Sequence, residues 1–179
     1  MNKEYRRKKG LNSSYYIERI VMQANSESMR IISLSSNISM ILAALGLTSK
    51  VIGKTAYCAD SVALAASRPE LKDFFDTDAV NAWKNIEELG QWLSPDADKI
   101  AMHKPDLVLA SGTCTKYTDR TLGIPSDRWL HFKSLTLNDL YESIGCIGER
   151  TGRQERSKAL QLLERSALPV LESFQPEAI

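Results

Sequence analysis

A chain of 179 residues, 43% hydrophobic and 25% charged, can bury a core of its own, so one globular domain accounts for it and a second is not required. A net charge of +1 argues against a general nucleic-acid binder, the cluster Arg6-Arg7-Lys8-Lys9 reading as a solvated arm. No apolar run of about 18 residues is present and no apolar stretch follows the basic N-terminus, so neither membrane insertion nor a secretory signal is expected, and the chain as written is expected in the cytoplasm.

Residues 1–28 are polar and lack a clean period. Tyr15-Tyr16-Ile17 and Ile20-Val21-Met22 fit a short amphipathic helix within what reads as a loosely docked extension. Organised sequence starts at Met29. Arg30–Leu34 has strand composition, Ser35-Ser36-Asn37 is a polar turn able to cap a helix, and that helix carries Ile38, Ile41, Leu42 and Leu45 on one face before stopping at Gly46. A second strand, Lys50–Gly53, completes a βαβ unit, with Tyr57 just beyond its end. The segment 61–89 is expected to hold helix-like stretches at Ser61–Ala66 and Ala79–Leu89 on either side of Pro69, as an elaborated connection near the ligand edge. Ser94 then reads as an N-cap with Pro95 at the first helical position, and Asp96 and Asp98 as acids in the first turn. Lys104-Pro105 ends that helix, and Asp106–Ala110 is a buried strand running into the loop Ser111-Gly112-Thr113.

Beyond it, Thr113–Leu122 reads as a helix or irregular turn and Trp129–Phe132 as another short strand. Thr136 with Asp139 resembles a capping box, opening a helix with Leu137, Leu140, Tyr141, Ile144 and Ile147 on its apolar face. The last segment, from Gln154, places Leu160, Leu163, Ala167 and Leu171 on one face, with Pro169 expected to kink or interrupt it. The fold class expected is α/β: an open parallel sheet with helices on both faces, in three αβα layers. In such sheets ligands bind beyond the carboxyl ends of the strands, which gathers Ser35, Ser36, Tyr57, Ser111, Gly112 and Thr113 on one rim.

Local chemistry points away from catalysis. Cys58, Cys114 and Cys146 are far apart and form no CxxC pair, and His103 and His131 lack the neighbours of a metal site, so both histidines read as structural. No phosphate-binding GxGxxG or P-loop and no GxSxG elbow occurs. Tyr57 alone fits a lid over apolar residues as well as it fits a ligand contact, and its position past a strand end tilts it toward ligand. Trp92 is similar, because it stands in a loop before a polar cap. Asp98 is fully explained as a helix-dipole acid.

Five segments in order, MRIISLSSNISMILAALGL (29–47), VIGKTAYC (51–58), GQW (90–92), DKIAMHKPDLVLASG (98–112) and SLTLNDLYESIGCIGERTGR (134–153), together resemble the class III periplasmic binding proteins. These are the substrate-binding proteins of ABC importers for cobalamin, ferric siderophores and haem. The resemblance covers roughly residues 29 to 175. It implies a two-lobed protein with ligand clamped between lobes joined by one long helix, and divides this chain into a 1–28 extension, an N-lobe over 29–153 and the connecting helix over 154–179, with the second lobe absent. It further implies no cofactor of the protein's own, a corrinoid, haem or ferric siderophore as ligand, and no catalysis. Tyr57 matches a tyrosine lying against the corrin ring in cobalamin binders, Trp92 a tryptophan of the same cleft, and Asp98 a family glutamate that docks on the ABC permease. This chain departs from the family's usual Ser-Pro-x-x-Thr-Glu at Ser35–Met40, where proline and glutamate are both missing. The family's usual location is extracytoplasmic, whereas an intracellular interaction or regulatory protein on the same scaffold is the alternative expectation. A homodimer, with a second copy standing in for the other lobe, is a further one.

Overall fold

A computed structural model of the chain describes residues 28–112, 119–133 and 135–172. The expected N-terminal amphipathic helix, Thr113, Cys114 and the final side chains, Ala167 and Leu171 among them, lie outside the described residues. Among the described residues there are two sheets: β3 (Glu87–Glu88), β2 (Val51–Lys54), β1 (Ile31–Ser33), β6 (Leu107–Ser111) and β7 (Trp129–Phe132) in that spatial order, and a hairpin of β4 (Gly90–Gln91) with β5 (Ser94–Pro95). Every pairing in the five-stranded sheet is parallel, so all five strands end at one edge.

Alternation along the strands explains the layers. Ile31, Leu107 and Leu109 face one apolar cluster while Ile32, Val108 and Ala110 face another, so the sheet is covered on both sides as a parallel sheet must be. The first face is roofed by α1 (Ser36–Ala44), α2 (Cys58–Ala66), α5 (Leu137–Arg150) and α6 (Gln154–Glu172), which bring Ile38, Leu42, Val62, Ile144, Ile147 and Leu160 to the core. On the second face, α4 (Ala97–Met102) supplies Ile100, and Leu122 and Ile124 complete the cover. This is the expected three-layer αβα arrangement.

Three local expectations are corrected. Ser94 and Pro95 belong to the hairpin: Asp96 N–H still donates to the Leu89 carbonyl at 2.8 Å, so the chain stays paired until Asp96, whose carboxylate then caps α4 by accepting from Lys99 N–H at 3.0 Å. The helix expected over Ala79–Leu89 is instead α3 (Thr77–Ala82), capped by Asp76, then a 3₁₀ turn at Trp83–Asn85 and the edge strand Glu87–Glu88. Trp83 causes the break, because its ring is buried and its Nε1–H donates to Thr48 Oγ1 at 3.0 Å, drawing the chain into the core beside the start of β2. Trp83 therefore packs at the amino edge of the sheet, away from the strand ends where ligand was expected. Finally, Pro169 does not interrupt α6, which runs on to Glu172.

Helices α5 and α6 close on each other where Gly148 faces Ser157, so tightly that a Cβ at 148 would collide with the serine side chain. Arg156 then ties α6 to two neighbours, its guanidinium donating to the Ala44 carbonyl at 2.5 Å and to the Phe74 carbonyl at 2.8 Å. A cation on the last carbonyls of α1 complements that helix's negative end.

Candidate ligand rim

The carboxyl edge of the sheet is built from three strand exits and a hairpin. At the exit of β2, Thr55 N–H donates to the Ser33 carbonyl at 3.1 Å and Ala56 N–H to the Gly90 carbonyl at 3.1 Å, which fixes the turn before Tyr57 and joins it to the hairpin. Tyr57 then adopts φ 67° at the N-cap of α2, a left-handed conformation that costs a β-carbon-bearing residue of order 1 kcal/mol. Its ring is 71% exposed. At that exposure the ring does not serve as a lid over apolar residues.

Trp92 forms the tip of the β4–β5 hairpin together with Leu93, both exposed in part. Its indole N–H donates to the Ser111 carbonyl at 3.3 Å, and its ring lies against Gly112, where a Cβ would stand 2.9 Å from Cζ2. With φ at 119°, Gly112 is glycine for two reasons at once, backbone and space. Gly112 N–H closes the edge by donating to the Phe132 carbonyl at 3.0 Å.

Of the expected rim residues, Ser35 and Ser111 stand at the strand exits but are buried, so their part is to shape the edge; Ser36 opens α1 half-buried. Ser35 makes no side-chain cap bond. Asn37 takes that role, its Oδ1 accepting from Ile38 N–H at 3.0 Å while its Nδ2 donates to Ser111 Oγ at 2.6 Å. Asp98 is exposed on the first turn of α4. Cys58 is wholly buried with Sγ 3.4 Å from Thr55 Oγ1, which withdraws its thiol from the rim. His103 lies at the opposite edge, where it pairs with Glu87 at 3.0 Å and its carbonyl accepts from Arg30. Among the described residues no group of His, Cys, Asp and Glu could hold a metal ion, and no helix is long and apolar enough to cross a membrane.

Sequence reasoning missed part of the rim. The capping box of α5 is present, with Leu135 and Thr136 N–H both donating to Asp139 Oδ2 at 2.8 and 2.9 Å, and Asp139 N–H to Thr136 Oγ1 at 3.1 Å. Those backbone bonds hold the Asp139 carboxyl below its ordinary range. The box pins the turn after β7 so that Leu135 and Leu137 project into solvent, 66% and 50% exposed. Leu137, expected on the core face of α5, stands outside it because it begins the helix beyond the edge of the layer; Tyr141, Ile144 and Ile147 do pack inward and Leu140 is half-buried. Apolar residues on both sides of a capping threonine, just past a strand, were the available signal.

Comparison with known proteins agrees with this architecture. No curated protein sequence is recognisably similar. Solved structures are: S. aureus IsdE complexed with heme matches with a TM-score of 0.60 at 18% identity, covering 83% of this chain and 51% of that one. The periplasmic heme-binding protein HutB of Vibrio cholerae gives 0.60 at 17% identity, covering 84% and 52%. An ABC-type Fe3+-hydroxamate transport system protein from Saccharomonospora viridis gives 0.57 at 24%, covering 82% and 50%. At these identities the likeness is one of fold, and this chain spans about half the length of each of those proteins. The family model for periplasmic binding proteins matches residues 31–167, from the first strand into the last helix, and this chain belongs to that family.

Proposed function

We propose that this chain is a non-catalytic ligand-binding module whose rim forms one wall of a cleft for a small-molecule metal chelate. The observation that carries the reading is the pair of aromatics at the carboxyl edge, Tyr57 strained into an exposed position and Trp92 braced at the hairpin tip. Aromatic faces suit a large planar ligand because contact buries much area while ordering few torsions. Leu93, Leu135 and Leu137 extend the same edge with apolar surface. Haem and ferric siderophores come first as ligands, since those are the compounds named for the similar structures. A corrinoid is the third arm, on the matching positions of Tyr57 and Trp92 alone. Family members are extracytoplasmic, and the same location is proposed here. Delivery to an ABC permease would use the exposed Asp98 on α4, and a second copy of the chain could supply the opposite wall; a strict monomer in sedimentation velocity removes that last element.

The test is titration of the purified protein with hemin, a ferric hydroxamate siderophore and cobalamin, following tryptophan emission in the wild type and in Trp92→Ala. Saturable quenching by one chelate that is lost in the variant is the expected result. Absence of quenching by all three, or equal quenching in the variant, contradicts the reading.

A further inference from the structure

One residue at the rim bonds two others that are far apart in sequence. Ser111, the last residue of β6, accepts at its side-chain oxygen from Asn37 Nδ2, 2.6 Å away on α1, and at its carbonyl from the Trp92 indole, 3.3 Å away on the hairpin. Asn37 is in turn held by its own first helical turn, through the 3.0 Å bond from Ile38 N–H to Oδ1. The neighbouring Gly112 leaves no space for the Trp92 ring to move toward the backbone, since even a methyl group there would come to 2.9 Å from Cζ2. Asn37 on α1 and Trp92 on the hairpin, 55 positions apart in sequence, thus both bond one residue at the end of β6.

We propose that Asn37 is a positioning residue that, through Ser111, sets how Trp92 is presented at the rim, and thereby tunes affinity for the chelate. The affinity part rests on the binding reading above; the positioning part does not. The experiment therefore uses two readouts. Incorporation of 5-fluorotryptophan gives one fluorine resonance for each of Trp83, Trp92 and Trp129, the Trp92 signal being identified by Trp92→Phe. In Asn37→Ala the Trp92 resonance should shift or broaden while those of Trp83 and Trp129 stay in place. Ser111→Ala, which removes the same bond from its other end, should reproduce that spectrum, and the double variant should add little. Asn37→Asp should restore the wild-type signal, because a carboxylate still accepts from Ile38 N–H and can accept the Ser111 hydroxyl proton. Hemin should bind about three- to tenfold more weakly to Asn37→Ala, the range expected for losing one neutral hydrogen bond. An unmoved Trp92 resonance in both alanine variants, or equal movement of all three resonances, overturns the positioning role. Equal hemin affinity in wild type and Asn37→Ala overturns the tuning role. If the wild type itself fails to bind hemin, siderophore or cobalamin, the binding reading falls while the fluorine spectra still decide whether Asn37 positions Trp92.

Discussion

Trp83 and Trp92 are the same side chain put to opposite uses at the two edges of one sheet. Both donate their indole N–H, to Thr48 Oγ1 and to the Ser111 carbonyl, yet Trp83 is 0% exposed at the amino edge and Trp92 is 40% exposed at the carboxyl edge. At the amino edge Trp83 goes into the core, and Gly148 packs directly against Ser157. At the carboxyl edge it leaves Tyr57, Leu135 and Leu137 in water and accepts a strained backbone at Tyr57 to do so. The difference between them is the reason for assigning recognition to one edge and stability to the other.

The comparison can be broken by variants that mix the two properties. Trp83→Ala should be the most damaging to folding, costing about 3–5 kcal/mol in denaturant unfolding, with chelate affinity unchanged wherever the protein remains folded. Gly148→Ala should cost about 1–3 kcal/mol by forcing α5 and α6 apart, and Ser157→Gly in the same chain should return part of it. Tyr57→Gly separates the two edges most clearly. Removing the left-handed strain offsets glycine's entropic cost, so stability should change by less than about 1 kcal/mol in either direction while chelate quenching weakens. An effect on stability as large as that of Trp83→Ala would make Tyr57 structural.

The smallest effect is acidic. Asp139 has its carboxyl lowered from 3.8 by the bonds from Leu135 and Thr136 N–H, so its contribution to the rim turn is fully present above the unfolded value and fades as pH falls through the lower folded one. A fluorophore on Leu135→Cys should report loosening of this turn only below about pH 4, and Asp139→Asn, which has no carboxylate to protonate, should abolish that acid transition.

The layers and the strands 31–33, 51–54, 107–111 and 129–132 were legible because their apolar residues run in short bounded blocks, and α1 and α5 because caps and 3.6-residue spacing agree there. The strand Glu87–Glu88 was not, since two glutamates have no strand composition and pair with β2 only because Trp83 has folded the preceding chain inward. Ser94-Pro95 reads as a good local cap for α4 but loses to hairpin pairing from Gly90 through Asp96. At the rim, Tyr57 and Trp92 were visible as aromatics past strand ends. Asn37 reads in sequence only as part of a capping turn, because its contact with Ser111 spans 74 residues and leaves no local trace.

The most direct test of the two-edge account is an amide NMR titration of the isotope-labelled chain with a diamagnetic form of whichever chelate quenches its fluorescence. The account predicts shifts concentrated at Tyr57, Trp92, Leu93, Gly112, Leu135 and Leu137, with Trp83, Arg30 and His103 unmoved. Shifts centred on the amino edge, or spread evenly over both edges, would contradict it.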